Sequence, residues 1–95
     1  MIKDFKDKKL EKFFKQGKVY KGLPTSLIKK TITKLAMLEA TKVLTDLYVP
    51  PSNRFESLSG DRKGQYSISI NMQYRLCFRF KDGDIYDLEL TNHYK

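Results

Sequence analysis

Two arginines, Arg75 and Arg79, occupy the polar face of a segment in which apolar and polar residues alternate from residue 74 to residue 80. Such alternation is typical of a β-strand that rests one face on a core. Two guanidinium groups on one face repel each other unless an anion, a carboxylate or a partner lies over them. The pair therefore indicates a bound anion or partner, or cross-strand ion pairs with Asp87 and Glu89 on the next predicted strand.

The chain can form few kinds of metal site, because it contains one histidine, His93, and one cysteine, Cys77. A single cysteine excludes an internal disulfide and a cysteine-based zinc site, and a single histidine excludes a metal site built on two histidines. We interpret Cys77 as buried filler within a strand. We expect neither a metal nor a cofactor.

Length and composition predict one small globular domain spanning residues 1–95, with 40% hydrophobic and 13% aromatic residues. The net charge of +8 and the pI near 9.6 favour a nucleic acid or an acidic protein as partner. No apolar stretch approaches the ~20 residues of a membrane span. The charged first ten residues lack the apolar core of a signal peptide. We therefore expect a cytoplasmic protein that does not associate with membranes.

The first part of the chain predicts a short strand and two helices. Residues 1–5 can form an edge strand, and Asp7 is placed to cap a helix that ends at Gly17. Eight lysines against three acids among residues 1–22 indicate either a solvated helix face or a contact with an RNA backbone. The apolar stripe of this helix consists of Leu10, Phe13 and Phe14.

A second, longer helix opens near Pro24, with Thr25 or Ser26 as its cap. Its apolar residues recur at helical spacing, so we expect them to face the core, with Met37 packing beside them. The lysines should occupy the opposite, solvated side. The predicted core residues are Leu27, Ile28, Ile32, Leu35 and Leu38, with Thr31 as a further candidate, and the predicted solvated lysines are Lys29, Lys30 and Lys34.

The second half predicts an antiparallel meander. Short apolar alternations occur at residues 54–58, 66–70, 74–80 and 85–91, with a hairpin turn at Asp82 and Gly83. On the last strand, alternation places Tyr86, Leu88 and Leu90 on one face. The element order predicts an α+β fold in which an N-terminal strand and two helices pack on one face of a small antiparallel sheet, leaving the arginine-bearing face open.

Two segments carry a resemblance to a known family. Residues 50–68, PPSNRFESLSGDRKGQYSI, and residues 74–80, YRLCFRF, resemble the signature of HigB-type toxins of the RelE/ParE toxin–antitoxin superfamily, also called plasmid maintenance killer proteins. Residues 1–5, MIKDF, and residues 10–14, LEKFF, are also similar to the N-terminal part of that family's sequences. The resemblance spans essentially the whole chain.

The resemblance implies a RelE-like, microbial-RNase-like fold and a metal-independent endoribonuclease that acts with the ribosome. Such toxins enter the ribosomal A site, cut the mRNA there and stop translation. It also implies a HigA-like antitoxin with a helix-turn-helix domain, and repression of the operon when the complex binds operator DNA.

Site residues carry over by position. By likeness to the family, Arg62, Arg75 and Arg79 are candidates for binding the mRNA backbone and the scissile phosphate. Metal-free RNA cleavage needs a group that deprotonates the 2′-OH, a cation for the phosphorane and a proton donor for the leaving oxygen. The implied catalytic residues are Arg75, His93, Tyr94 and Glu56, and the implied RNA-binding residues are Arg62, Lys63, Arg79, Arg54 and Asn92.

The sequence departs from the family's pattern at three places. Glu56 stands where members often carry histidine, and Ser59 where they carry lysine. The usual ending Asp-Tyr-His appears as Asn92, His93 and Tyr94. Glu56 can then act as a base or sit in an ion pair near Arg62. Two alternative functions stay open: a ParE-like gyrase poison, and a non-catalytic basic module that binds RNA or a partner.

Overall fold

In the computed structural model, residues 1–92 are described, and they form two helices followed by a four-stranded antiparallel sheet with strand order β1-β2-β3-β4. This confirms the predicted α+β fold. The elements are α1 Lys8–Gln16, α2 Ile28–Ala40, β1 Glu56–Ser57, β2 Tyr66–Ser69, β3 Tyr74–Lys81 and β4 Asp84–Asn92. Short 3₁₀-helices lie at Thr25–Leu27, Leu44–Tyr48, Pro51–Asn53 and Gly60–Arg62.

The first five residues lie along the outer edge of β4. Two isolated parallel bridges join Ile2 to Ile85 and Phe5 to Leu88. The Lys3 N–H donates to the Ile85 carbonyl at 2.8 Å, and the Ile85 N–H donates to the Met1 carbonyl at 2.9 Å. The predicted edge pairing is therefore present, as two bridges rather than a continuous strand.

Helix α1 has the predicted ends. The Asp7 carboxylate accepts hydrogen bonds from the backbone N–H groups of Lys9 at 3.1 Å and Leu10 at 3.2 Å. Gly17 closes the helix with φ +69°, a left-handed conformation that glycine adopts without a steric penalty. Leu10 and Phe13 are buried, and Phe14 packs against the same core. The stripe predicted from the sequence is the one that faces the sheet.

Helix α2 buries most of the predicted face, with Leu27, Leu35 and Leu38 in the core, but departs from the prediction at two positions. Its buried residues are Thr31, Lys34, Leu35 and Leu38. Ile32, predicted to lie in the core, is 53% exposed, whereas Lys34, predicted to be solvated, is 8% exposed. Neither Thr25 nor Ser26 caps the helix with its side chain, because a 3₁₀-helix leads into it. These three expectations were wrong: Ile32 faces outward, Lys34 faces inward beside Thr31, and no side chain caps the helix.

A β-bulge in β4 changes the predicted alternation. Cys77 of β3 lies opposite Glu89, and Arg79 lies opposite Tyr86, so two residues of β4 oppose one residue of β3. Asp87 within the bulge has φ +51°. Ile85 and Leu88 consequently both point to the core, and Tyr86 lies on the open face beside Arg79. The placement of Tyr86 with Leu88 was therefore wrong.

The core lies between the two helices and one face of the sheet. Its fully buried side chains come from both layers, which leaves the face that carries Arg75 and Arg79 open. Within residues 1–92, none of the helices combines the length and apolar character needed to cross a membrane. The largest apolar side chains that are fully buried are Phe78, Leu10, Leu35, Leu38, Leu47, Ile68, Leu76, Ile85 and Leu88.

Candidate functional site

Arg75 is fixed by contacts on several sides. Its Nε donates a hydrogen bond to the hydroxyl of Ser67 at 2.9 Å, and its Nη2 donates to the backbone carbonyl of Arg54 at 2.8 Å. The same Nη2 lies 3.4 Å from Oε1 of Glu56. The Arg75 side chain is 11% exposed. A guanidinium held this way has little rotational freedom and keeps its charge close to the surface.

The Arg54 carbonyl is placed by the loop that precedes β1. Asn53 is fully buried, and its amide donates to the carbonyls of Leu47 at 3.1 Å and Val49 at 3.3 Å. Its Oδ1 accepts a hydrogen bond from Nζ of Lys34 at 2.6 Å. Burial, together with the positive charge of nearby Lys30, lowers the pKa of Lys34. The loop is thus tied to α2 through one buried amide.

Arg62 lies at the end of the 3₁₀-helix Gly60–Arg62, beside the open sheet face. Its Nη1 donates to Oε1 of Gln65 at 2.9 Å and to Oε2 of Glu89 at 3.1 Å. The same carboxylate oxygen is 3.6 Å from Nζ of Lys6. The Arg62 side chain remains 40% exposed, so part of its guanidinium is available to a ligand.

Arg62 and Arg75 line one cleft of about 220 Å³, which we call the arginine cleft. It runs along the open face from β1 to the end of β4. Thr91 donates to the Arg75 carbonyl at 3.3 Å, and Cys77 lies 3.5 Å from the Thr91 hydroxyl. The other lining residues are Glu56, Leu58, Ser67, Cys77, Thr91 and Asn92.

A second concavity of about 490 Å³ adjoins it, which we call the tyrosine cleft because Tyr20 and Tyr74 line it. The two clefts share Arg62, Thr91 and Asn92. The Tyr20 hydroxyl is buried and has no hydrogen-bond partner among residues 1–92. Burial and the negative charge of Asp7 raise the pKa of Tyr20 to about 12.

Comparison with known proteins decides the family. The protein-family model described as "RelE-like toxin of type II toxin-antitoxin system HigB" matches residues 3–93 of the chain. The chain belongs to the HigB-like toxin family. Toxin HigB-1 of Vibrio cholerae is 42% identical over 93 residues, covering 98% of each chain. Endoribonuclease HigB of Proteus vulgaris is 30% identical over 94 residues, covering 99% of this chain and 100% of that one. The family predicted from the sequence is confirmed.

Two solved structures share the fold of this HigB-like toxin. A YafQ mutant from E. coli gives a TM-score of 0.64 at 14% identity, covering 99% of this chain and 93% of that one. The YoeB–YefM complex from Staphylococcus aureus gives a TM-score of 0.56 at 22% identity, covering 94% of this chain and 93% of that one. At these identities the likeness shows the fold alone, and the predicted RelE-like fold is confirmed.

The structure separates the arginines of this HigB-like toxin that the sequence grouped together. Arg79 pairs with Asp87 at 3.3 Å and lines a different concavity, bounded by Gly64, Phe80, Lys81, Asp82 and Tyr86. Glu89 pairs with Arg62 and Lys6, so only the Asp87 half of the predicted cross-strand pairing reaches Arg79. The Arg54 side chain is exposed, with Nη1 at 3.4 Å from the Met72 sulfur, and Lys63 is exposed.

The remaining predicted site residues fall at the end of the chain and on β1. Asn92 lines both clefts. His93 and Tyr94 follow it in the sequence and lie outside the described residues. Glu56 pairs with Arg75, so the ion pair expected near Arg62 is formed with the other arginine.

Several site residues of this toxin were missed from the sequence. Ser67, Asn53 and Lys34 hold Arg75 directly or through the Arg54 loop. Alternation placed Ser67 on the same face as Arg75, which was the one usable signal. No pattern marked Asn53 or Lys34, because their contact joins residues 19 positions apart through a loop of irregular structure.

Proposed function

We propose that this chain is the toxin of a type II toxin–antitoxin module and acts as a ribosome-dependent endoribonuclease that cuts mRNA in the A site. Its family and the name of the Proteus vulgaris relative support an RNA-cleaving activity. The observation that carries the proposal is the fixed, nearly buried guanidinium of Arg75 in a cleft that also contains Arg62.

Arg75 suits the stabilisation of a phosphorane. Its contacts with Ser67, Arg54 and Glu56 engage Nε and Nη2, so among residues 1–92 the N–H donors of Nη1 are left for phosphate oxygens. Donors that are already oriented need no reorganisation when charge develops in the transition state. Because the guanidinium lies in a concave, poorly hydrated position, its interaction with an anion is stronger than in bulk water. In this scheme the arginines supply the positive charge, so no metal ion is required.

Proton transfer is assigned to the chain's end. The ordinary pKa of histidine lies near neutrality, which makes His93 the candidate acid or base, with Tyr94 as a proton or hydrogen-bond donor. Both follow Asn92, which lines the arginine cleft. Glu56 is engaged with Arg75 at 3.4 Å, and we assign it the role of orienting that guanidinium. Arg62 binds the adjacent backbone, and Arg54, Lys63 and Arg79 are outer contacts.

A helix-turn-helix antitoxin of the HigA type is the proposed protein partner. The family is defined by type II toxin–antitoxin systems, and one structural neighbour was solved as a YoeB–YefM complex. The toxin–antitoxin complex would bind operator DNA through the antitoxin and repress the operon. A toxin that acts on translating ribosomes would work in the cytoplasm. Gel-shift binding of operator DNA by antitoxin with and without toxin tests this part.

Primer extension on a translated reporter mRNA tests the activity. Cells expressing the wild-type chain should show cuts at codon boundaries, and the same mRNA with its start codon destroyed should stay intact. Arg75→Ala should reduce cutting by at least ~10²-fold, the usual loss when one preorganised donor is removed. Circular dichroism of the purified variant checks that it folds.

Two outcomes would refute the proposal. Intact mRNA together with gyrase-linked DNA damage would indicate a ParE-like poison. Growth arrest that survives substitution of Arg75 and His93 together would rule out the catalytic assignment, and would leave a binding module as the function.

A further inference from the structure

Four lysines surround a concavity at the end of α1 that none of the predicted site residues within residues 1–92 lines. Its volume is about 230 Å³. All four lysines are exposed, and no acidic residue in the described part of the chain lines the concavity. We call this surface the lysine patch. Its lining residues are Lys9, Lys12, Lys18, Val19, Tyr20 and Lys21.

The lysine patch differs from the other lysines of the N-terminal segment in its ion pairs. Lys15 and Lys8 lie 2.9 Å and 3.9 Å from the carboxylate of Glu11, and Lys6 lies 3.6 Å from Glu89. Among the salt bridges within residues 1–92, none involves a lysine of the patch. Helix α1 therefore has one neutralised side and one side whose positive charge is uncompensated.

The patch is continuous with the arginine cleft. It shares Lys9 and Tyr20 with the tyrosine cleft, which in turn shares Arg62 with the arginine cleft. The acidic residues of the tyrosine cleft are engaged. The Asp7 carboxylate accepts two backbone N–H groups of α1, and the Glu89 carboxylate pairs with Arg62 and Lys6. Within residues 1–92, a polyanion can follow this path without meeting an unpaired carboxylate.

We propose that the lysine patch binds the phosphates of an RNA segment that runs through the tyrosine cleft from the arginine cleft. Ammonium groups that neutralise phosphates release the counterions condensed on a nucleic acid, a gain that binding to a single carboxylate side chain does not provide. Tyr20 and Tyr74 give the intervening cleft aromatic rings beside which a base can lie. The inference rests on the proposed function and extends it to the RNA flanking the cleaved bond.

Salt-dependent RNA binding tests this directly. The probe is a fluorescent 12-nucleotide RNA with 2′-O-methyl groups throughout, so that it cannot be cut, compared with a 4-nucleotide version. The test variant is Lys12→Gln with Lys18→Gln. The control is Lys29→Gln with Lys30→Gln, which removes the same amount of charge from two exposed positions in the first turn of α2.

The test variant should bind the 12-mer about tenfold more weakly than the control, and bind the 4-mer like the control. The slope of log K against log salt should fall by about 1.4, since each lost single-strand phosphate contact contributes about 0.7. Equal behaviour of the two double variants would overturn the inference, because net charge alone would then explain the loss. A loss of antitoxin binding with unchanged RNA affinity would overturn it as well and mark a protein surface.

Ribosome binding distinguishes the two sources of RNA. If the test variant binds mRNA-free ribosomes more weakly than the control, the patch contacts ribosomal RNA. If only the 12-mer and mRNA-programmed ribosomes are affected, it contacts mRNA. The second result supports the inference, and the first overturns it, because ribosomal RNA does not flank the cleaved bond. Failure of the wild-type chain to cut translated mRNA would refute the proposed function and leave these binding differences measurable.

Discussion

The backbone carbonyl of Arg54 accepts a hydrogen bond at 2.8 Å from the guanidinium of Arg75, a residue 21 positions later in the chain. This bond connects the loop before β1 with the central strand β3. Arg54 itself has φ +47°, so the carbonyl is presented by a left-handed turn rather than by an extended strand. The orientation of the proposed phosphate-binding arginine therefore depends on a loop that is anchored elsewhere.

Arg75→Lys should abolish most of the proposed cleavage although it keeps the charge. A guanidinium donates to Ser67 and Arg54 and faces Glu56 through a planar fork, which a single ammonium cannot reproduce. We expect cleavage of translated mRNA to fall by about 10²-fold, and the melting temperature to fall by several degrees because the buried Ser67 hydroxyl loses its donor. Cleavage within threefold of wild type would show that charge alone is needed at this position.

The substitution Glu56→Gln tests whether Glu56 orients the Arg75 guanidinium or acts as the general base in cleavage. Glu56 is 54% exposed and lies 3.4 Å from Arg75, so its ion pair should contribute less than about 1 kcal/mol to stability. We expect cleavage to fall by no more than about tenfold, with the pH profile of cleavage unchanged, since removal of a general base usually costs 10²-fold or more. A larger loss together with a missing acidic limb in the pH profile would assign Glu56 as the base.

Gly64→Ala should disturb Arg79, and Gly60→Ala is its matched control. Both glycines have positive φ, +92° and +62°, so alanine at either position should cost about 1 kcal/mol. An added Cβ at position 64 would lie 2.8 Å from Nη1 of Arg79, whereas one at position 60 meets no atom within 4 Å. If Arg79 contacts RNA, only Gly64→Ala should also weaken RNA binding. Equal RNA affinities would remove Arg79 from the binding surface.

The sequence predicted α1, the strands and the hairpin at Asp82 and Gly83 because each has its own local signal. Asp7 and Gly17 mark the ends of α1, and period-two alternation marks β3. The orientation of α2 was not predictable in this way. Its periodicity allows two neighbouring faces, and the contact of Lys34 with Asn53 selects the one that exposes Ile32. Tertiary contact overrides hydropathy there.

The sequence predicted that arginines form the candidate site, but it did not predict how they are arranged in space. The arginines stood out because two charged residues share the polar face of one alternating strand, yet alternation cannot show a bulge. The extra residue in β4 at Asp87 brings that carboxylate to Arg79 and places Arg79 in a separate concavity from Arg75. Ser67 and Thr91, which complete the arginine cleft, are residue types that occur on any solvated strand.

Tyr20→Phe should raise stability at neutral pH and remove an alkaline transition. The buried Tyr20 hydroxyl has no partner among residues 1–92, so its removal should add about 1 kcal/mol, or roughly 4–8 °C in melting temperature. The edge-to-face contact with Phe13, at 6.4 Å between ring centroids, is kept by phenylalanine.

The alkaline part follows from the pKa of Tyr20, which is raised from 10.0 to about 12 by burial and by the charge of Asp7. The folded state holds the phenolic proton more tightly than the unfolded chain does. The part of the folding stability that depends on the protonated Tyr20 hydroxyl is therefore fully present below pH 10. It is lost as pH rises towards 12. The wild type should lose stability relative to Tyr20→Phe across this window in denaturant titrations. A constant difference between pH 9 and pH 12 would contradict the raised pKa.

Asn53→Ala should be among the most damaging single changes outside the hydrophobic core. It leaves the buried Lys34 ammonium without its acceptor and removes the donors to the carbonyls of Leu47 and Val49. We expect a loss of about 3 kcal/mol in the free energy of unfolding, because unsatisfied buried groups carry their full desolvation penalty. Cleavage should fall as well, since the Arg54 carbonyl loses its support.

A double-mutant cycle identifies the cause of that loss. Lys34→Met replaces the ammonium by a neutral side chain of similar length, so the double variant Asn53→Ala with Lys34→Met no longer buries an unpaired charge. In urea unfolding, the free energy of unfolding of the double variant should exceed that of Asn53→Ala alone by about 1 kcal/mol or more. Lys29→Met, at an exposed position of the same helix, is the control and should leave stability unchanged. Strict additivity of the Asn53 and Lys34 changes would show that the two side chains are not coupled.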